Sequence, residues 1–165
     1  MKVLTLDFEG SLKKGIREIG GVLSEKTTIT EVYDIKTDNE IEIKKYLIEI
    51  LSNDIEFIVS HNIHIEKNLV KKYLPYPKKK NVFGTFDWGP WLDTKKLYST
   101  LYPKIKNYEL KNLVNVFLKK NIMELSSKYC SPSKNNFHNA LYDALCTFLL
   151  YNRLSEKITL EKFIS

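Results

Sequence analysis

The run Val3-Leu4-Thr5-Leu6-Asp7-Phe8-Glu9-Gly10 constrains this chain most, because it sets two carboxylates two residues apart inside an otherwise apolar, strand-forming segment. Successive strand side chains alternate faces, so Leu4, Leu6 and Phe8 point one way while Asp7 and Glu9 share the other, roughly 7 Å apart. Two acids on one face of a buried strand repel each other and resist desolvation unless a cation stands between them. A divalent metal meets that need. So does exposure of both acids at a wet strand end.

Two further blocks bear on the choice. The apolar segment Phe57-Ile58-Val59 runs into Ser60-His61-Asn62-Ile63-His64-Ile65-Glu66, and Phe137-His138-Asn139-Ala140-Leu141-Tyr142-Asp143-Ala144 opens a helical pattern further on. In this order, across nearly the whole chain, the three blocks resemble the three motifs of the DEDDh family of 3'-5' exonucleases, the group related to the proofreading subunit of bacterial DNA polymerase III. The resemblance implies an α/β protein of RNase H-like fold, a mixed central β-sheet of about five strands flanked by α-helices. It also implies phosphodiester hydrolysis with two Mg²⁺ or Mn²⁺ ions. That chemistry needs three or four carboxylates around ions roughly 4 Å apart, and a base for the attacking water. By the resemblance, Asp7 bridges both ions, Glu9 and Asp143 complete the shell of the first, Glu66 serves the second and His138 is the base. The Gly10-Ser11-Leu12 turn would offer backbone N–H groups and an apolar contact to the terminal nucleotide.

In one respect the chain departs from the family, which has Asp where Glu66 stands. The extra methylene still reaches an ion or its water, provided the backbone sits back or the rotamer folds, so metal geometry or affinity changes. Otherwise Glu66 is a surface acid among lysines. Ile65, Leu69 and Tyr73 are the expected buried stripe beside it. His61 and Asn62 lie at a strand-to-helix junction, where polar side chains satisfy orphan backbone groups or position substrate. His64 has no assigned role.

The third block carries its own geometric test. Residues five apart on a helix are about 140° apart, so His138 and Asp143 face one site only if His138 lies ahead of the first turn. Leu141, Ala144, Leu145, Phe148 and Leu149 follow the i, i+3, i+4, i+7, i+8 pattern, which starts the helix body after His138. Asn139 then suits the cap, and the loop from Ser131 to Phe137 could swing His138 over a substrate.

The remaining pattern reads as one domain over 1–165. Strands are expected at about 2–9, 15–23 and 27–36, then a helix at about 40–52 with Ile43, Leu47, Ile50 and Leu51 inward. A strand at about 55–60, a helix at 61–74, an irregular stretch to about 91, and helices at about 94–101, 108–120 and 138–154 follow. Asp93 reads as the cap of the helix beginning at Thr94. A composition of 43% hydrophobic residues can build a core without disulfides, and Cys130 and Cys146 lack zinc or redox spacing. Met1-Lys2 leads straight into the first strand, leaving no room for a signal peptide, and no run is long enough to span a bilayer. A reduced, cytoplasmic setting without a membrane partner is the expectation.

The formal charge of +6 is unevenly spread: residues 1–60 hold 8 basic and 12 acidic side chains, residues 61–120 hold 13 and 4, and the rest 5 and 4. The middle third therefore carries +9 against −4 for the first, with Lys67, Lys71, Lys72, Lys78, Lys79, Lys80, Lys95 and Lys96 interleaved with Tyr73, Tyr76, Phe83, Phe86, Trp88 and Trp91. Lysines attract phosphates and rings stack on unpaired bases, which suits single-stranded nucleic acid, although a solvated face has the same composition. The stretch from Tyr76 to Trp91 either folds back as a core flap, favoured for Trp91, or walls a substrate groove, favoured for Lys78, Lys79 and Lys80.

The expected activity is metal-dependent 3'-5' exonucleolysis of single-stranded DNA or RNA ends, releasing nucleoside 5'-monophosphates. Two alternatives stand. One is a phosphodiesterase for dinucleotides, short oligonucleotides or a nucleotide second messenger; the other is a non-catalytic nucleic-acid-binding module in which Glu66 has spoiled the metal site.

Overall fold

The structure, a computed structural model, describes residues 2–75, 79–80 and 86–165, the side chains of residues 79, 80, 86, 87 and 161 excepted. Three strands, β1 (Lys2–Ser11), β2 (Gly15–Glu25) and β3 (Thr28–Lys36), form a meander, and α1 (Glu40–Leu51) leads from it into β4 (Phe57–Ser60) and α2 (His64–Tyr73). A two-stranded ribbon of β5 (Lys79–Lys80) and β6 (Phe86–Asp87) precedes β7 (Trp91–Asp93). Four helices follow: α3 (Thr94–Leu101), α4 (Leu110–Phe117), α5 (Lys119–Tyr129) and α6 (Ala140–Ser155). The main sheet has the order β3-β2-β1-β4-β7, antiparallel through the meander and parallel from β1 to β4 to β7. The outer edge of β7 is closed by the tail: Trp91 and Ser165 exchange backbone hydrogen bonds of 2.9 and 2.8 Å, which hides an edge open to misassociation.

Period-two alternation decides the layering. On one face Leu4, Leu6, Phe8, Ile19, Ile58 and Trp91 pack against Ile43, Leu47, Ile50 and Leu51 of α1 and Leu69, Val70 and Tyr73 of α2. On the other, Val3, Val22, Val59 and Leu92 pack against the helices from α3 to α6. The odd-numbered face of β1 thus runs from buried Val3 and Thr5 to Asp7 and Glu9, which puts both acids on the α6 side.

Several elements differ from the sequence expectation. Helix α2 begins at His64, since Asn62 adopts φ +66 and breaks the turn before it. Its inward row is Glu66, Leu69, Val70 and Tyr73, whereas Ile65 is 47% exposed. The acid itself therefore occupies the buried stripe at i, i+3, i+4, i+7. The helix expected at 108–120 ends at Phe117, because Leu118 leaves helical geometry (φ −138) and is buried. The change of direction admits α5, in a stretch where the sequence expectation places no element, with Ile122 and Ser126 inward. Trp91 is fully buried inside β7 and is not part of a flap, and Trp88 donates its indole N–H to the Leu74 carbonyl at 2.6 Å. Lys78 lies outside the described residues, and only the backbone of Lys79 and Lys80 is described.

Helix α6 is sandwiched between the sheet and the other helices, so twelve of its sixteen residues are buried and it has no broad solvent face. Its start is set by one contact. Gly20 pairs with Asp7 across β1 and β2, and a Cβ there would stand 2.0 Å from the carbonyl carbon and oxygen of Ala140 and 2.4 Å from the Leu141 nitrogen. The helix backbone rests directly on the strand. Among the described residues no helix is long and apolar enough to cross a membrane.

Gly20→Ala should force α6 off the sheet and destabilise the protein by about 1–3 kcal/mol, read as a lowered urea midpoint. Ile41→Ala, at a side chain 79% exposed on α1, should change stability by less than about 0.5 kcal/mol. Equal midpoints for the two variants would remove the seating role of Gly20.

Candidate metal centre

Strand β1 delivers Asp7 and Glu9 to the end of the sheet. Directly after Glu9 the register slips, Glu9 facing Glu18 while Gly10 faces Ile16, and such bulges re-aim side chains at strand ends. A Cβ on Gly10 would lie 2.2 Å from the Gly15 carbonyl oxygen, so this closure needs glycine. Beyond it the Ser11 hydroxyl accepts from the Lys14 amide, the Leu12 carbonyl accepts from Lys72 Nζ at 3.0 Å, and the Leu12 side chain is 51% exposed.

Helix α6 supplies the opposing wall. Asn139 occupies the cap position, and its carbonyl accepts from the Asp143 amide at 3.0 Å, but its side chain bonds Asn136 and caps nothing. The turn is held instead from within: His138, at φ +68, donates its amide to Asp143 Oδ2 at 3.1 Å. Lys134 Nζ pairs with Asp34 at 2.7 Å and Phe137 packs edge-on against Tyr142, two contacts that tie the loop before His138 to β3 and α6. Glu9, His138 and Asp143 each place a ligand-type atom within 4.8 Å of the others, with His138 exposed and Asp143 buried.

Asp7 and Glu66 lie outside that trio but share its electrostatics. Burial raises the Asp7 carboxyl well above the ordinary range, and Asp143, Glu66 and Glu9 raise it further. Burial pushes Glu66 up to about 7, with Asp93 adding to the shift. Asp143 is likewise pushed up to about 7 by burial and by Glu9, against the His138 amide, which lowers it. Among the described residues no lysine or arginine forms an ion pair with any of the four acids. Glu66 Oε2 and Asp143 Oδ1 are buried without a hydrogen-bond partner. Uncompensated carboxylates and orphaned oxygens of this kind fit divalent cations, which prefer oxygen donors.

The second block is braced behind the acids. Asp93 caps α3 by accepting from the Lys95 and Lys96 amides at 2.9 and 3.3 Å, and it also accepts from the Asn62 and Ile63 amides at 3.0 and 3.4 Å. One carboxylate thus ties the starts of α2 and α3 together. Both ring nitrogens of His61 are engaged: Nε2 donates to the Tyr108 carbonyl at 2.9 Å, which leaves Nδ1 to accept from the Thr94 hydroxyl at 2.8 Å. Burial lowers the His61 pKa, which favours the neutral ring. The ring acts as a strut between Thr94 and Tyr108, the structural one of its two expected roles, and at Asn62 it is the backbone amide that bonds Asp93. The Asp34–Lys134 pair and the double role of Asp93 had no local signature, since their partners lie 100 and about 30 residues away.

No protein-family model matches the chain. Among curated proteins, NADH-cytochrome b5 reductase 2 of Mycosarcoma maydis is 25% identical over 111 residues, 60% of this chain and 32% of the reductase. The chain therefore spans about a third of that relative. Among solved structures, exonuclease X in complex with 5' overhanging duplex DNA superposes with a TM-score of 0.61 at 19% identity, covering 98% of this chain and 96% of that one. Cell-death related nuclease 4 gives 0.54 at 13% identity over 94% of this chain and 64% of its own. A moderately thermophilic exonuclease I from Methylocaldum szegediense gives 0.56 at 12% identity over 94% and 40%. The fold is the mixed, five-stranded RNase H-like α/β architecture.

Asp143 and Glu66 ionise near 7 in the folded protein and near the ordinary carboxylate range when unfolded. Between those values the unfolded chain has released protons that the folded one keeps, so stability falls as pH rises through this window. The melting midpoint of chelator-treated protein should drop from about pH 5 to about pH 8, less steeply in Asp143→Asn, and added Mn²⁺ should recover most at the higher pH. A flat profile in both proteins would contradict the raised proton affinities.

Proposed function

We propose that this chain is a metal-dependent 3'-5' exonuclease, a single domain over 1–165 that hydrolyses the terminal phosphodiester of single-stranded DNA or RNA and releases nucleoside 5'-monophosphates. The observation that carries the reading is Asp143 Oδ1, buried and unpartnered beside Glu9 and His138, in a site where burial and neighbouring acids raise the proton affinity of Asp7 and Asp143 and, among the described residues, no lysine or arginine pairs with them. Asp7, Glu9, Glu66 and Asp143 would hold two Mg²⁺ or Mn²⁺ ions. When bound, such ions supply Lewis acidity at the phosphate and neutralise the charge gathered there. The likeness of the fold to three nucleases supports the same reading.

The chain's own groups have distinct tasks in this scheme. His138 is exposed, its ring takes no hydrogen bond among the described residues, and a free ring nitrogen there accepts the proton of the attacking water. As the water oxygen bonds to phosphorus, the bond to the 3' oxygen of the penultimate nucleotide breaks. Exposed Leu12 offers the terminal nucleotide an apolar surface, and Lys72, tied to the Leu12 carbonyl, brings positive charge to that turn for the phosphate backbone. The match to a reductase carries no activity over: the six glycines nowhere fall two residues apart, so the chain lacks the glycine-rich loop that cradles a dinucleotide pyrophosphate. Two free thiols, Cys130 and Cys146, agree with a reducing, cytoplasmic setting.

Asp7→Ala or Asp143→Asn should abolish hydrolysis while single-strand binding persists, and His138→Ala should lower turnover by about 10²–10⁴-fold. The check is digestion of an end-labelled single strand beside a dinucleotide, with and without Mg²⁺ or Mn²⁺. A descending ladder supports the exonuclease. Cleavage of the dinucleotide alone moves the assignment to a short-substrate phosphodiesterase, and binding without products moves it to a non-catalytic module.

A further inference from the structure

The same site carries a second consequence, because one corner of it is not built from oxygen alone. Glu9, Asp143 and the imidazole of His138 present two carboxylate oxygens and one ring nitrogen within 4.8 Å of one another. Tetrahedral donors sharing one ion at about 2.0–2.2 Å lie roughly 3.3–3.6 Å apart, so the set closes when the side chains draw in by about 1–1.5 Å. We propose that these three side chains form a clasp for a borderline transition-metal cation of the Zn²⁺ or Co²⁺ type, with His138 a direct ligand, and that such a cation holds the site inactive.

Three observations support the clasp. Asp143 is 8% exposed with Oδ1 unpartnered, so a buried oxygen is left without a protein donor at the group. The His138 backbone is held at φ +68 by its amide bond to the same carboxylate, which keeps the ring's attachment point over the acids. Asp34–Lys134 and Phe137–Tyr142 fasten the loop before it. The donor set then decides the cation. Imidazole suits zinc, cobalt and their neighbours, whereas Mg²⁺ keeps to carboxylates and water and has no use for the ring. A ring nitrogen serving as a ligand is not free to take a proton from water. The inhibitory half of the proposal rests on the exonuclease reading; the binding half does not.

The test is calorimetric titration of the chelator-treated full chain with Zn²⁺, Co²⁺ and Mg²⁺ separately, for the wild type, His138→Ala, His138→Gln and Glu9→Gln, each checked for folding by circular dichroism. Both His138 variants should bind Zn²⁺ and Co²⁺ at least about tenfold more weakly, since even outer partners of a metal ligand are worth that much, with Mg²⁺ binding unchanged. Glu9→Gln should weaken all three. In the wild type, Zn²⁺ and not Mg²⁺ should shift the His138 ring signals in NMR spectra. Unchanged Zn²⁺ affinity in both His138 variants, or a parallel loss of Mg²⁺ affinity, overturns the clasp. Digestion in Mg²⁺ alone separates the two claims: His138-dependent Zn²⁺ binding without digestion keeps the clasp and removes the nuclease. Digestion that Zn²⁺ at clasp-saturating concentration fails to suppress removes the inactive state.

Discussion

The contact between the backbone of α6 and Gly20 is the constraint on which the site depends. Gly20 lies beside Asp7 in the β1–β2 ladder, and with no side chain above it the helix settles against the strand at Ala140 and Leu141. One turn further Asp143 reaches the acids of β1, and two residues earlier His138 leaves the helix with its amide on that same carboxylate. Any side chain at position 20 would separate the halves of the site. The pairing that builds the sheet and the packing that buries α6 therefore also set the spacing of the acids.

That spacing is electrostatically unfavourable by itself. Asp7, Glu66 and Asp143 are desolvated together, and Asp7 feels the other three acids. The surrounding structure holds them in place by other means: the Asp93 carboxylate gathers four amides from the starts of α2 and α3, and His61 bridges Thr94 to the Tyr108 carbonyl. Both devices are fully hydrogen-bonded. Glu66 and Asp143, by contrast, each keep a buried oxygen without a hydrogen-bond partner, which leaves those oxygens open to a cation.

Much of this was legible in the order of residues. Alternation in β1 set Asp7 and Glu9 apart from Leu4, Leu6 and Phe8, and the 140° argument placed His138 ahead of α6. The inward row of α1 emerged residue for residue. Other features were not legible, each for a physical reason. Ile65 and Glu66 both keep helical spacing with Leu69 and Tyr73, so apolarity favours Ile65, but packing turns Glu66 inward with Leu69, Val70 and Tyr73. Asn139 has the chemistry of a cap, yet its side chain turns back to donate to Asn136 and its oxygen caps nothing. The pattern Ile122, Leu125, Tyr129 could have revealed α5, but the break at Leu118 depends on what α4 and α6 leave open beside it.

The sequence by itself determined which residues are acidic, apolar or able to turn, and short-range periodicity converts that into strands, helices and their faces, since each depends on neighbours a few positions away. Only the tertiary structure decided how close Glu9, His138 and Asp143 come, which hydroxyl and carbonyl hold the His61 ring, and that Asp34 reaches Lys134 one hundred residues on. Those relations join distant segments, and their distances follow from packing against Gly20 and from burial. No local preference encodes either.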